Sequence, residues 1–178
     1  MSAPLFWITG APAAGKSTVS HDLLQHFEFG FHVHVDDLRT WVESGLSESV
    51  NWTDETTRQF ELAELAACDI ARRYHNAGFA VVIDHCRNLA RIDAVIDEAL
   101  SDLDVIKICL VPSLAANLQR NHERTNKSFD TQALDFIIEG MQPMLAAENR
   151  PGWVMIDSTA LDVAATVERV LAAPVRPA

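Results

Sequence analysis

Cysteine is scarce in this chain, and the three present, Cys68, Cys86 and Cys109, lie in separate segments with no CxxC pair. An odd, scattered count excludes a disulfide framework and reads as buried thiols in a reducing compartment. Basic residues are also few. Fourteen Lys and Arg against 25 Asp and Glu give a formal charge of -11, a surface field that repels nucleic acid, so none is expected as a partner. No apolar run approaches the ~20 residues a spanning helix needs, which excludes a membrane helix. The opening residues lack a basic n-region and lead straight into a glycine-rich turn, so they read as a strand and not as a signal peptide. A cytoplasmic protein is the expectation. Internal repeats and low-complexity segments are absent too.

What remains is ordinary globular composition: 178 residues, 48% hydrophobic and 22% charged, sized for one domain over 1–178. Apolar runs at 5–9, 31–35, 80–83, 105–111 and 153–156 read as five strands. Between them, helical spacing marks 17–27, 53–74, 92–100, 113–124, 134–145 and 163–171. Thr53, followed by Asp54 and Glu55, has the look of an N-cap with an acidic first turn, and Ser113 that of a second cap. The run from Ala80 to Ile83 is unbroken, as expected of a parallel strand covered on both faces. Alternating strands and helices predict an α/β three-layer sandwich around a five-stranded parallel sheet. Ligands in such sheets sit beyond the carboxyl ends of the strands, where Thr9, Asp36, Asp84, Pro112 and Asp157 fall.

Gly10-Ala11-Pro12-Ala13-Ala14-Gly15-Lys16-Ser17 fits G-x-x-x-x-G-K-[ST] without a mismatch, between a strand and a helix. This P-loop pattern predicts backbone N–H groups cradling phosphates, with Thr18 closing the nucleotide-binding set. Lys16 is then expected on the outer phosphates of ATP and the Ser17 hydroxyl on Mg2+. The segment 5–18 and the order of elements after it resemble the small P-loop kinases: shikimate, gluconate, adenylylsulfate and nucleoside monophosphate kinases, chloramphenicol phosphotransferases and zeta-type toxins. The chloramphenicol phosphotransferases are most similar in length and in the Val35-Asp36-x-Leu38 and Ile83-Asp84 junctions. Asp84-His85-Cys86 departs from the glycines of shikimate kinases, which disfavours shikimate as acceptor.

Transfer of a phosphate to a hydroxyl needs a carboxylate to orient and deprotonate it and cations to hold the moving charge. The resemblance implies that Asp36 faces the acceptor and that Arg39 holds an anionic group on it; Asp37 and Asp84 remain alternative bases. Asp84 is also a candidate for a magnesium-bound water or the acceptor, and Arg87 for the acceptor. Arg120 and Arg124, four residues apart on a helix, resemble lid arginines that close over the phosphates, in a short lid of about 120–132 whose only further cation is Lys127. Glu123 is a competing surface partner for them. Asn126-Lys127-Ser128-Phe129 lacks the aspartate and strand of a guanine-specificity box. The seven histidines, including His32 and His34 alternating on a strand, show no metal-ligand spacing.

The expectation is an ATP-dependent phosphotransferase acting on a small-molecule hydroxyl, as a monomer or homodimer. A nucleoside monophosphate kinase is the alternative within enzymes, and a non-catalytic nucleotide-dependent switch the alternative outside them.

Overall fold

Strand β1 (Leu5–Gly10) is buried at all six positions, because it runs through the middle of the sheet with a helix layer on each side. The computed structural model describes residues 3–49, 51–124 and 131–174. The other strands are β2 (Gly30–His34), β3 (Ala80–Asp84), β4 (Val105–Leu110) and β5 (Trp153–Ile156), all parallel in the order β2-β3-β1-β4-β5. Seven described helices alternate with them: α1 (Lys16–Leu24), α2 (Val35–Thr40), α3 (Asp54–Asn76), α4 (Leu89–Ala99), α5 (Leu114–His122), α6 (Asp135–Ala147) and α7 (Val163–Leu171). A 3-10 turn, Thr131–Leu134, leads into α6.

The strand period of two sorts side chains between two cores. Leu5, Trp7, Val81 and Ile83 pack with Ala63, Ala67 and Ala71 of α3, Ile92 and Val95 of α4 and Leu145 of α6. Phe6, Ile8, Val82 and Ile108 face the other way, onto Val19 and Leu23 of α1 and Val167 and Val170 of α7. Fully burying each large side chain contributes about 1.5–3 kcal/mol, so this pattern fixes the strand register. Burial raises the thiols of Cys68 and Cys109 to about 12, which leaves both protonated and inert as nucleophiles.

Local signals set the ends. Thr53 caps α3 in a capping box: its hydroxyl accepts from Thr56 N at 3.2 Å, while Thr56 Oγ1 accepts from Thr53 N at 3.1 Å. Ser113 caps α5 by accepting from Ala116 N. Several boundaries differ from the sequence expectation, the starts of α2 and α4 among them. The second strand ends at His34, so Val35 opens α2 and both Asp36 and Asp37 lie in its first turn. Helix α4 starts at Leu89 because Asn88 Oδ1 accepts from Arg91 N at 2.8 Å. Among the described residues, no helix is long and apolar enough to cross a membrane.

Candidate active site

The turn from β1 to α1 is built by backbone conformations that few residues allow. Gly10 has φ 154, and a Cβ there would lie 2.6 Å from the Leu110 carbonyl oxygen. Gly15, at φ 100, is the N-cap of α1, while Ala13 adopts φ 63, a left-handed conformation that costs a non-glycine residue about 1–2 kcal/mol. Neighbours hold this shape. Ala14 N donates to Ala11 O at 3.1 Å, the Asn117 side chain of α5 donates to Pro12 O, and the Ala11 and Ala14 methyls are buried. The Lys16 ammonium lies inside the turn, donating to the carbonyls of Gly10 and Ala11 at 3.0 Å each. Such a concavity, capped by a helix N-terminus and carrying one ammonium, suits a polyphosphate.

Ser17, on the first turn of α1, donates its hydroxyl to Asp84 Oδ2 at 2.8 Å. Asp84 ends β3 beside β1 and receives two imidazoles as well, His34 Nδ1 at 3.1 Å from Oδ1 and His32 Nε2 at 3.3 Å from Oδ2. Burial alone would raise this carboxyl, but the two imidazoles outweigh it and hold Asp84 far below the usual carboxylate range. The hydrogen bond to Asp84 in turn raises His34. The sequence shows no metal-ligand spacing among its histidines, yet His32, His34 and Asp84 each bring a donor atom within 4.8 Å of the others. Alternate positions on β2 put His32 and His34 on one side, and pairing of β2 with β3 sets His34 opposite Asp84.

Two clefts meet at Lys16. The first, about 760 Å³, lies between the phosphate turn and α7; Gly15, Ser17, Thr18, Arg120, Ser158 and Thr166 are among its walls. The second, about 670 Å³, extends from Asp36 and Arg39 past Trp52, Phe60, Cys86 and Arg87 to Ile137, Met141 and Met144. Lys16, Ser17, His34, Asp37 and Arg124 line both.

Arg120 and Arg124 do not share a helix face. Helix α5 stops at His122 with Glu123 as its C-cap, so Arg124 lies beyond the helix. Arg120 is tethered to the end of β5, donating to Ser158 O at 2.7 Å and Ser158 Oγ at 3.3 Å. Glu123 accepts from Gln119 instead of joining the arginines. The lid was expected at about 120–132, and its central residues, 125–130 with Lys127, lie outside the described residues.

On the second cleft, Asp36 is two-thirds exposed (67% of its side chain), with Oδ1 3.8 Å from His85 Nε2. His85 is buried between Asp36 and Glu64, whose Oε1 is 3.5 Å from Nδ1; burial lowers its pKa against the pull of both acids. Arg39 is buried, its guanidinium 4.2 Å from the Phe60 ring centre. It donates to Ser49 Oγ at 2.7 Å and to Ser47 O, while its Nε has no hydrogen-bond partner. Among the described residues no carboxylate forms an ion pair with it. Burial lowers the Arg39 pKa, with Asp36 opposing that effect.

Arg87 is placed differently from a free acceptor-binding cation. Its Nε donates to Glu64 Oε1 at 2.9 Å, and its guanidinium lies 5.0 Å from the Trp52 ring. Glu64, 1% exposed, also accepts from Arg91 Nε at 3.0 Å. Sequence reasoning missed Glu64, although its spacing from Phe60, Ala67 and Ala71 puts a carboxylate on the buried stripe of α3. Thr9, which the sequence places at a strand end without a role, donates its hydroxyl to Arg87 O at 3.0 Å and ties β1 to the segment after β3. No sequence signal marked Asn117 or Ser158.

Residues 5–144 match the family described as AAA domain. Comparison with curated proteins found no significant sequence match. Solved structures with the same fold include a sugar kinase from Janibacter sp. HTCC2649, at 15% identity and TM-score 0.66 over 96% of this chain and 94% of that one. The tunicamycin resistance protein of Deinococcus radiodurans is similar at 14% identity and TM-score 0.67 over 96% and 94%. The APS kinase of Mycobacterium tuberculosis, in complex with AMPPNP and APS, shows 15% identity and TM-score 0.64 over 96% of each chain. The family match spans most of the sequence and these structures share its sheet and helix layers, so the chain belongs to the AAA domain family and has the fold of the small P-loop kinases.

Proposed function

We propose that this protein is an ATP-dependent phosphotransferase that moves the γ-phosphate of ATP to a hydroxyl of a small-molecule acceptor. The observation that carries the reading is the meeting of two clefts at Lys16, one walled by the phosphate turn and the other by Asp36 and Arg39. A nucleotide switch has no use for the second. The neighbours that are kinases of sugars and of APS support the class of reaction.

In this reading ATP lies in the first cleft with its phosphates in the turn of Gly10 to Thr18. Lys16 leaves the Gly10 and Ala11 carbonyls for the outer phosphates, and Arg120, fixed by Ser158, contacts the nucleotide side. Arg124, on the walls of both clefts, faces the phosphoryl group in passage. The Ser17 hydroxyl and Asp84 carboxylate are hard oxygen donors, 2.8 Å apart, and would hold magnesium. When bound, magnesium would supply positive charge to offset that of the phosphate oxygens. Asp36 orients the acceptor hydroxyl and takes its proton as the new O–P bond forms and the bond to the β-phosphate oxygen breaks, releasing ADP. His85 is buried behind Asp36, its Nε2 3.8 Å from that carboxylate.

Arg39 supports an acceptor carrying an anionic or carbonyl group. The guanidinium lines the second cleft, its terminal nitrogens bonded to neutral Ser49 and Ser47 oxygens and, among the described residues, to no carboxylate, so its charge is left for an acceptor oxygen. Arg87, engaged by Glu64, shapes the wall through Trp52 and Phe60 more than it binds charge.

A screen for ADP release across sugars, aminocyclitols, antibiotics and nucleotides, with ATP and magnesium, tests the reading. Release that depends on one acceptor class, with stoichiometric phosphorylated product, is the expected result. ATP hydrolysis that no acceptor accelerates would favour the switch instead.

A further inference from the structure

The phosphotransferase reading leaves His32 and His34 without a task, yet they are the least ordinary neighbours of Asp84. A magnesium-directed carboxylate ordinarily keeps oxygen and water around it. Here two imidazole nitrogens converge on it, at 3.1 Å for His34 Nδ1 and 3.3 Å for His32 Nε2. The two rings lie 3.7 Å apart between centres, and one donor atom from each of the three residues falls within 4.8 Å of the others. Ligand atoms held at about 2.0–2.2 Å around a tetrahedral ion stand roughly 3.3–3.6 Å from one another, so an ion would draw the three donors inward from a spread of up to 4.8 Å.

The chemistry of His32 points the same way. Its Nε2 is buried and close to a carboxylate oxygen, yet makes no geometrically sound hydrogen bond. Imidazole nitrogen suits zinc, copper, iron and nickel, and carboxylate suits nearly any dication, whereas magnesium rarely takes nitrogen. The donor set is therefore softer than the Ser17 and Asp84 pair beside it.

We propose that His32, His34 and Asp84 form a binding site for a transition-metal dication of the zinc class, with the Ser17 hydroxyl or a water in the fourth position. An ion bound there takes up the carboxylate that otherwise accepts the Ser17 hydroxyl at 2.8 Å. It therefore competes with ATP-magnesium, a consequence that rests on the phosphotransferase reading, whereas the binding does not.

The test is a titration of the nucleotide-free full chain with Zn2+ by calorimetry and with Co2+ by visible absorption. One equivalent should bind, with the intense bands of four-coordinate cobalt. His32→Gln and His34→Gln should each weaken zinc binding on the order of 10-fold or more, since even outer hydrogen-bond partners of metal ligands carry 10–100-fold. Equal zinc affinity in wild type and both variants would assign the ion to other histidines and overturn the site. Cobalt that keeps only the weak bands of its six-coordinate aquo ion in the wild type would overturn it too, whether or not the variants fold. Adding ATP and magnesium should weaken zinc binding in the wild type. Zinc that depends on both histidines but ignores ATP-magnesium would leave the site standing and overturn its coupling to the phosphate turn.

Discussion

The two clefts that share Lys16 are nearly equal in volume, about 760 and 670 Å³, but are made in opposite ways. The phosphate cleft has one contiguous turn as its floor, where Gly10, Ala13 and Gly15 take positive φ so that backbone N–H groups can face a ligand, and is walled by α5, the segment after β5 and α7. The other cleft is a mosaic of side chains from α2, the loop before α3, α3 itself, the segment after β3 and α6. Backbone recognition of phosphate is local and tolerates little variation, whereas side-chain recognition of an acceptor is assembled across the chain and is free to change. The difference separates what binds the common substrate from what selects the particular one.

Replacing Lys16, one of the residues common to both clefts, should give the largest effect. Lys16→Ala removes the one ammonium inside the turn, and the transfer rate is expected to fall on the order of 10³, the upper range for losing a group aimed at developing charge. The fold should persist, since the Lys16 ammonium, on the wall of both clefts, hydrogen-bonds to the turn's own carbonyls. Single-turnover transfer alongside thermal unfolding checks both halves. Transfer within a factor of ten of wild type would show that the clefts do not meet functionally at this residue.

Asp36→Asn addresses the acceptor side alone. The rate should fall by about 10², the scale of a positioned general base, with ATP affinity nearly unchanged because Asp36 lines only the second cleft. A drop in ATP affinity equal to the drop in rate would dissolve the distinction between the clefts. An unchanged rate would pass the role of base to Asp37, which borders both.

The arginines sharpen the boundary with smaller effects. Arg120 is held at the end of β5 by Ser158, so Arg120→Ala is expected to weaken ATP binding about 10-fold with a similar or smaller loss of rate. Arg124 lies past the helix and lines both clefts, so Arg124→Ala should cost about 10-fold in single-turnover rate with little change in ATP dissociation constant. These are the lower range for a hydrogen bond to a charged group. Reversal of the two patterns would put the crossing point at Arg120.

How much could be read from the sequence follows the same division. The phosphate motif, the strand Trp153–Ile156 and the helix Val163–Leu171 were legible because contiguous residues carry them. The Thr53 and Ser113 caps were legible for that reason too. The end of α5 was not: a helical pattern through Arg124 gives no sign that Glu123 closes the helix. The association of His32 and His34 with Asp84 depends on β2 pairing with β3, fifty residues of sequence apart at His34 and Asp84. Alternation alone could have placed both histidines on one face, but not beside a carboxylate. Glu64 stood in plain view on a buried stripe, and only its partners Arg87 and Arg91 explain how a charge is accommodated there.

Trp52 offers the mildest perturbation and the cleanest reading of the mosaic. It is about half exposed (49%) and stacks on Phe60, ring centres 4.9 Å apart and planes within 4°. Its indole N–H donates to Thr57 Oγ1 at 2.8 Å, and Arg87 lies over its ring. Truncation therefore removes part of one wall without opening the core, and the stacking lost is worth roughly 0.5–1.5 kcal/mol. Because Trp52 lines the second cleft and not the first, Trp52→Ala should raise the acceptor KM by about 2- to 10-fold, leaving the ATP dissociation constant and the rate at saturating acceptor close to wild type. That split is the signature of lost binding shared by ground and transition states. A matching loss of ATP affinity would mean that the aromatic wall shapes the phosphate turn as well, and the two clefts would then be one site recognising one ligand.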